Sequence, residues 1–102
     1  MQLHNLKIKY EYLVAVTAGI KTFELRKNDR NYQVGDLIQF TVIDRPTTKF
    51  KGITPTLNDL SLAIYSETLY RITYILENVP EYGLDKDYCI LGIKKLEIKE
   101  DN

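Results

Sequence analysis

The chain has 102 residues, 44% hydrophobic and 27% charged, long enough for one domain and too short for two. Fourteen Lys plus Arg against fourteen Asp plus Glu give a formal net charge of zero. That balance excludes a protein that coats DNA or a polybasic membrane binder, since both draw their affinity from excess positive charge. One His and one Cys cannot build a structural zinc site or a disulfide framework.

In chain order, Leu6-Lys7-Ile8-Lys9-Tyr10 alternates apolar and polar and predicts an edge strand with Leu6, Ile8 and Tyr10 on one face. Tyr12, Leu13, Val16 and Ile20 then fall at helical spacing, and Gly19 stands where a left-handed cap ends a short helix. Thr22 to Lys27 alternates again, with Phe23 and Leu25 expected toward the core and Thr22, Glu24 and Arg26 on the opposite face. Asn28 to Asn31 and Val34-Gly35-Asp36 read as turns leading into a strand over Leu37 to Ile43 that buries Ile38, Phe40 and Val42.

Arg45 to Asp59, with two prolines and no sustained period, reads as a long loop with a short strand at Phe50 to Ile53, and Ala63 to Tyr65 as the start of a hairpin. Leu69 to Leu76 is a strand whose apolar face is Tyr70, Ile72, Tyr74 and Leu76. After a turn at Asn78 to Gly83, Tyr88 to Ile93 reads as a buried strand. The apolar parity beyond it moves from Leu91 and Ile93 to Leu96 and Ile98, which predicts a bulge or bend near Lys94-Lys95, and the last four residues are expected to fray. These elements predict a single α+β domain over residues 1–102: a small, mostly antiparallel β-barrel of five to six strands with one clear helix near the N-terminus.

Chemistry concentrates in Lys21 to Arg30, which holds four cations and two anions, a local excess of two in a neutral chain. Arg26 and Arg30 have the planar fork suited to bidentate phosphate contacts, and Lys27 adds a point charge. Lys21 follows the helix C-terminus, where the dipole favours its charged form. Glu24 can accept hydrogen bonds from a base amino group or act as a general base on water. Equally, Glu24 and Arg26 share one strand face and suit a simple ion pair, and Asp29 with Arg30 suits a turn. Among eight tyrosines, Tyr32 in the turn after Arg30 is the best stacking candidate, with Tyr65 and Tyr82 weaker. Cys89, in an apolar strand, reads as a small buried hydrophobe.

Gly19-x-Lys21-x-x-Glu24-x-Arg26 resembles the signature of the ASCH superfamily, whose fold is a PUA-like β-barrel. The longer string resembles its bacterial and phage branch known as DUF3850: His4-x-Leu6-Lys7-Ile8, Lys21 to Arg30, Val34-Gly35-Asp36, Ile72 to Leu76 and Tyr88 to Ile93. The resemblance implies an RNA- or nucleotide-binding module with a cleft at the helix–strand junction, and a place for His4 in its lining. Some small bacterial members hydrolyse an acetylated cytidine nucleoside. The chain departs from them at Glu24, where they carry a catalytic threonine, so Lys21 is the catalytic group that carries over. Glu67 and Glu77 flank the strong strand without aligning to their second glutamate.

The expectation is thus an RNA or nucleotide ligand held by Lys21, Glu24, Arg26, Lys27, Arg30, Tyr32 and His4. Two alternatives stand beside it: an amidohydrolase acting on an acylated nucleoside such as N4-acetylcytidine, with Lys21 and Glu24 in acid–base roles, and a protein-interaction domain. No metal is expected. No Gly-rich phosphate loop or nucleophilic triad is present, so no cofactor is expected either. A lone cysteine, short apolar runs and an N-terminus without a signal-peptide pattern predict a cytoplasmic protein that does not enter a membrane. Whether the loop of residues 45–60 covers the cleft as a lid is left open by the residues themselves.

Overall fold

In the computed structural model, residues 1–44 and 67–96 are described. Among the described residues, five strands, β1 (Leu3–Ile8), β2 (Phe23–Lys27), β3 (Leu37–Val42), β4 (Leu69–Leu76) and β5 (Tyr88–Lys95), join the helix α1 (Tyr10–Thr17) and a short 3-10 turn at Pro80–Tyr82. The sheet order is β1-β3-β4-β5-β2. β1 runs parallel to β3, with Leu6 opposite Phe40, while the other three pairings are antiparallel. The result is a mixed sheet bent into a half-barrel, so the closed, mostly antiparallel barrel expected from the strand pattern is corrected. The physical reason lies in connectivity. The chain leaves β1 through α1, lays β2 at the far edge and returns to place β3 beside β1, so the two edge strands have no ladder between them.

The concave side holds the core: Leu6 and Ile8 of β1, Leu13 and Val16 of α1, Ile38 and Phe40 of β3, Tyr70 and Ile72 of β4, and Cys89, Leu91 and Ile93 of β5. Phe40 and Tyr70 meet as tilted rings with centroids 5.4 Å apart. α1 turns only Leu13 and Val16 inward, and Tyr12 and Ile20 are 46% and 80% exposed, narrower burial than the helical spacing predicts. Its end is built as expected, with Gly19 at φ 76°. The amides of Ile20 and Lys21 both donate to the Ala15 carbonyl. Tyr10 opens the helix rather than extending β1, its amide held by the Asp44 carboxylate at 2.6 Å.

Two facial assignments reverse. In β2, Phe23 and Leu25 face outward while Glu24 is buried and Arg26 half-buried. Register decides this: Glu24 lies opposite Leu91 and Arg26 opposite Cys89, both inward residues of β5. In β4, the register shifts between Ile72 and Tyr74, so Tyr74 and Leu76 turn outward and Ile75 packs on the core. The irregularity expected at Lys94-Lys95 therefore sits across the ladder, in β4, and β5 alternates without a break through Ile93. Gly92 permits it: a Cβ there would meet the Thr73 hydroxyl at 3.0 Å and the Tyr74 Cβ at 3.4 Å. The loop of residues 45–59 with its strand at 50–53, the hairpin start at 63–65, Tyr65, the lid question and the last residues from 97 on lie outside the described residues.

Candidate functional site

Lys21 emerges from the helix end into the gap between α1 and β2. Its ammonium donates to Glu24 Oε1 and stands 5.5 Å from the Tyr12 ring centroid and 5.2 Å from that of Phe23, both rings about half exposed. Glu24 Oε2 accepts from Arg26 Nε at 3.2 Å, and Arg26 Nη2 also donates to the Lys7 carbonyl at 2.6 Å. Lys21, Glu24 and Arg26 thus form one cluster with two cations around a carboxylate that is nearly removed from water. The cluster keeps a net positive charge. Glu24 has both oxygens engaged, which makes it a clamp on the two cations.

Arg30 Nη1 donates to the Asn5 carbonyl at 2.9 Å. Even-numbered carbonyls of β1 face β3, as those of Gln2 and Ile8 show, so Asn5 and Lys7 present theirs to the open edge. Arg26 and Arg30 occupy the place a further strand would take and tie β1 to the β2 side of the half-barrel. Residue type alone pointed both arginines at phosphate. The fold uses them first on main chain.

His4 and Tyr32 are brought together but away from solvent. Their rings are 4.8 Å apart at 57°, and both are buried. Tyr32 is accordingly a core residue and not a free stacking platform, a correction to its expected place in an open turn. Burial pushes its phenol pKa up, the Asp29 and Cys89 charges push the same way, and Arg30 and Arg26 pull against them. His4 Nε2 lies 2.8 Å from Asp36 Oδ2, and the Gln2 and Gln33 amides donate to the same carboxylate at 3.0 and 3.1 Å. Burial raises the Asp36 pKa, but these bonds outweigh it and hold the carboxyl below its usual value. The carboxylate can only accept, so Nε2 of His4 carries the proton. Asp36 is legible in the sequence only as a turn residue, because nothing local says that its partner is His4 of β1, 32 positions away along the chain.

Lys27 points to the outer face of β2, and Asn28 bonds Glu77 Oε2 at 2.7 Å through its side-chain amide. Tyr82 is 85% exposed on the 3-10 turn. Of the seven expected ligand contacts, the structure groups Lys21, Glu24 and Arg26 as one cluster, with Arg30 at the seam, His4 and Tyr32 in the core and Lys27 outside. A pocket of about 160 Å³ adjoins Lys21, walled by Val16, Thr17, Tyr70 and Ile93 and bordered by Lys94 and Lys95. A second concavity of about 360 Å³ lies by Gln2, Asn31 and Gln33, where the Asp36 carboxylate is already fully engaged. Among the described residues no group of three or more His, Cys, Asp or Glu could hold a metal, and no helix is long and apolar enough to cross a membrane.

Fold and site together define a small α+β half-barrel with arginine side chains spanning its open edge and an ion cluster at its helix–strand junction. The family model described as "Domain of unknown function (DUF3850)" matches residues 3–93, and the chain belongs to that family. Its fold is similar to that of a solved structure titled "Crystal structure of hypothetical protein PH0355", with a TM-score of 0.52 and 14% identity over 94% of this chain and 100% of that one. No curated protein matches the chain.

Proposed function

We propose that the domain is an ASCH-type, PUA-like module that binds a nucleotide or a short stretch of RNA at the helix–strand junction. One observation carries the reading: Lys21, held by Glu24 between the half-exposed rings of Tyr12 and Phe23, borders a pocket whose other rim is Lys94 and Lys95. Aromatic faces beside cations suit a base and its phosphate together. A cavity of about 150 Å³ accommodates benzene, so the pocket of about 160 Å³ suits one ring and not a helix. The hydrolase alternative has less support, because both oxygens of Glu24 already accept from Lys21 and Arg26, and a substrate water would have to compete with those two cations for it.

Calorimetric titration with nucleoside monophosphates tests the proposal. Binding is expected to weaken with salt, and Lys21→Met to weaken it about tenfold; equal affinity in that variant removes the site. Incubation with N4-acetylcytidine tests the alternative, and turnover abolished by Lys21→Met would favour it over simple binding.

A further inference from the structure

The two faces of the half-barrel differ in charge as well as in polarity. Outward positions of the five strands are Leu3, Asn5 and Lys7 on β1, Leu37, Gln39 and Thr41 on β3, Leu69, Arg71, Tyr74 and Leu76 on β4, Tyr88, Ile90, Gly92 and Lys94 on β5, and Phe23, Leu25 and Lys27 on β2. None is acidic, although the chain as a whole is neutral. Glu24, the strands' acidic residue, points inward. Lys7, Lys27, Arg71 and Lys94 make no ion pair among the described residues.

On the β2 side of this face the register builds two apolar rows across β2, β5 and β4: Phe23, Gly92 and Tyr74, then Leu25, Ile90 and Leu76. Tyr88 and Lys27 continue the next row. Phe23, Leu25, Tyr74 and Tyr88 are 48%, 55%, 65% and 44% exposed, unusual for large apolar groups clustered on one sheet surface. Phe23 and Tyr74 stand two strand spacings apart, roughly 10 Å, and the residue between them, Gly92, has no side chain.

We propose that this outer face is a docking platform for single-stranded nucleic acid. Bases supply flat faces that stack on exposed rings, and phosphates supply the negative charge the surface lacks. A second copy of the chain offers the reverse, because a two-fold pairing through this face sets like-charged rims against each other. The platform shares Phe23 and Lys94 with the rim of the pocket at the helix–strand junction, but its own ring Tyr74 and cation Arg71 do not line that pocket.

Fluorescence anisotropy with labelled oligo-U and oligo-dT of about ten nucleotides, against a duplex of matched length, is the test. Single strands are expected to bind and the duplex to bind weakly, with a log–log salt slope near −3 if all four cations meet phosphates. Tyr74→Ser is expected to weaken single-strand binding at least tenfold, Tyr74→Phe to preserve it, and Arg71→Ala to reduce the slope by about 0.7. Mononucleotide binding should be unchanged in all three variants, which keeps this proposal distinguishable from the one above. Tyr74 is mostly exposed, so a thermal melt close to that of the parent protein verifies that the Ser variant folds. Full affinity in Tyr74→Ser, equal affinity for duplex, or no single-strand binding overturns the proposal. A dimer that Tyr74→Ser dissociates, in a protein that ignores oligonucleotides, assigns the face to a second copy instead.

Discussion

The guanidinium of Arg26 joins the main-chain carbonyl of Lys7 across the open edge of the half-barrel, at 2.6 Å, while its Nε holds the buried carboxylate of Glu24. One side chain thus bridges the open edge of the sheet and holds the buried carboxylate at the candidate site. Arg26→Met leaves Glu24 with Lys21 alone and the Lys7 carbonyl without its donor. The expected loss is about 2–3 kcal/mol, less than the full cost of orphaning a buried charge because Lys21 remains. Urea denaturation measures it, and Arg26→Met in a Glu24→Gln background should lose markedly less.

Asp36 should dominate the acid limb of stability. Its folded pKa is depressed from 3.8, so the stabilisation is fully present above that value and disappears as pH falls below it through the folded pKa. Melting temperature measured from pH 6 down to pH 2 should drop steeply in the parent protein and less steeply in Asp36→Asn. At neutral pH Asp36→Asn should cost about 1–3 kcal/mol, since an amide oxygen cannot replace a carboxylate that accepts from His4 and two main-chain amides.

Gly92→Ala sets a methyl group against the Thr73 hydroxyl and the Tyr74 Cβ at the bulge. A loss of about 1 kcal/mol is expected. Combining it with Thr73→Ala removes the closer neighbour, and the double variant should recover part of the loss in a thermal melt. Additive losses would show that the bulge itself, not the hydroxyl, resists the methyl.

Cys89 is fully buried, and desolvation raises its thiol pKa, with the Glu77 and Asp29 charges adding to the shift. Reaction with a thiol reagent at pH 8 should therefore follow the opening of the fold. Labelling is expected to be slow in buffer and fast above the urea midpoint; rapid labelling of the native protein would contradict the burial.

Much of this molecule can be read from local pattern. The short helix and its left-handed Gly19, the inward Ile38 and Phe40, the buried Cys89 and the charge cluster from Lys21 to Arg30 all follow from period, turn chemistry and composition, which act over a few residues. Tertiary pairing decided the rest. Alternation in Phe23 to Lys27 says that two faces differ but not which is buried; the β5 register chose Glu24 over Phe23, and with that choice an expected solvent face became the interior. The bulge after Ile72 did the same for Tyr74 and Leu76. A cation, likewise, carries no label for its partner. Arg26 and Arg30 went to the carbonyls of Lys7 and Asn5 because β1 and β2 ended at opposite edges of the sheet and left main-chain acceptors unpaired. The sequence by itself determined which chemical groups are near one another along the chain. Only the pairing of distant strands determined which of them, like Lys21 and Arg26, are already engaged within the fold and which, like the outer aromatic rows, still face solvent.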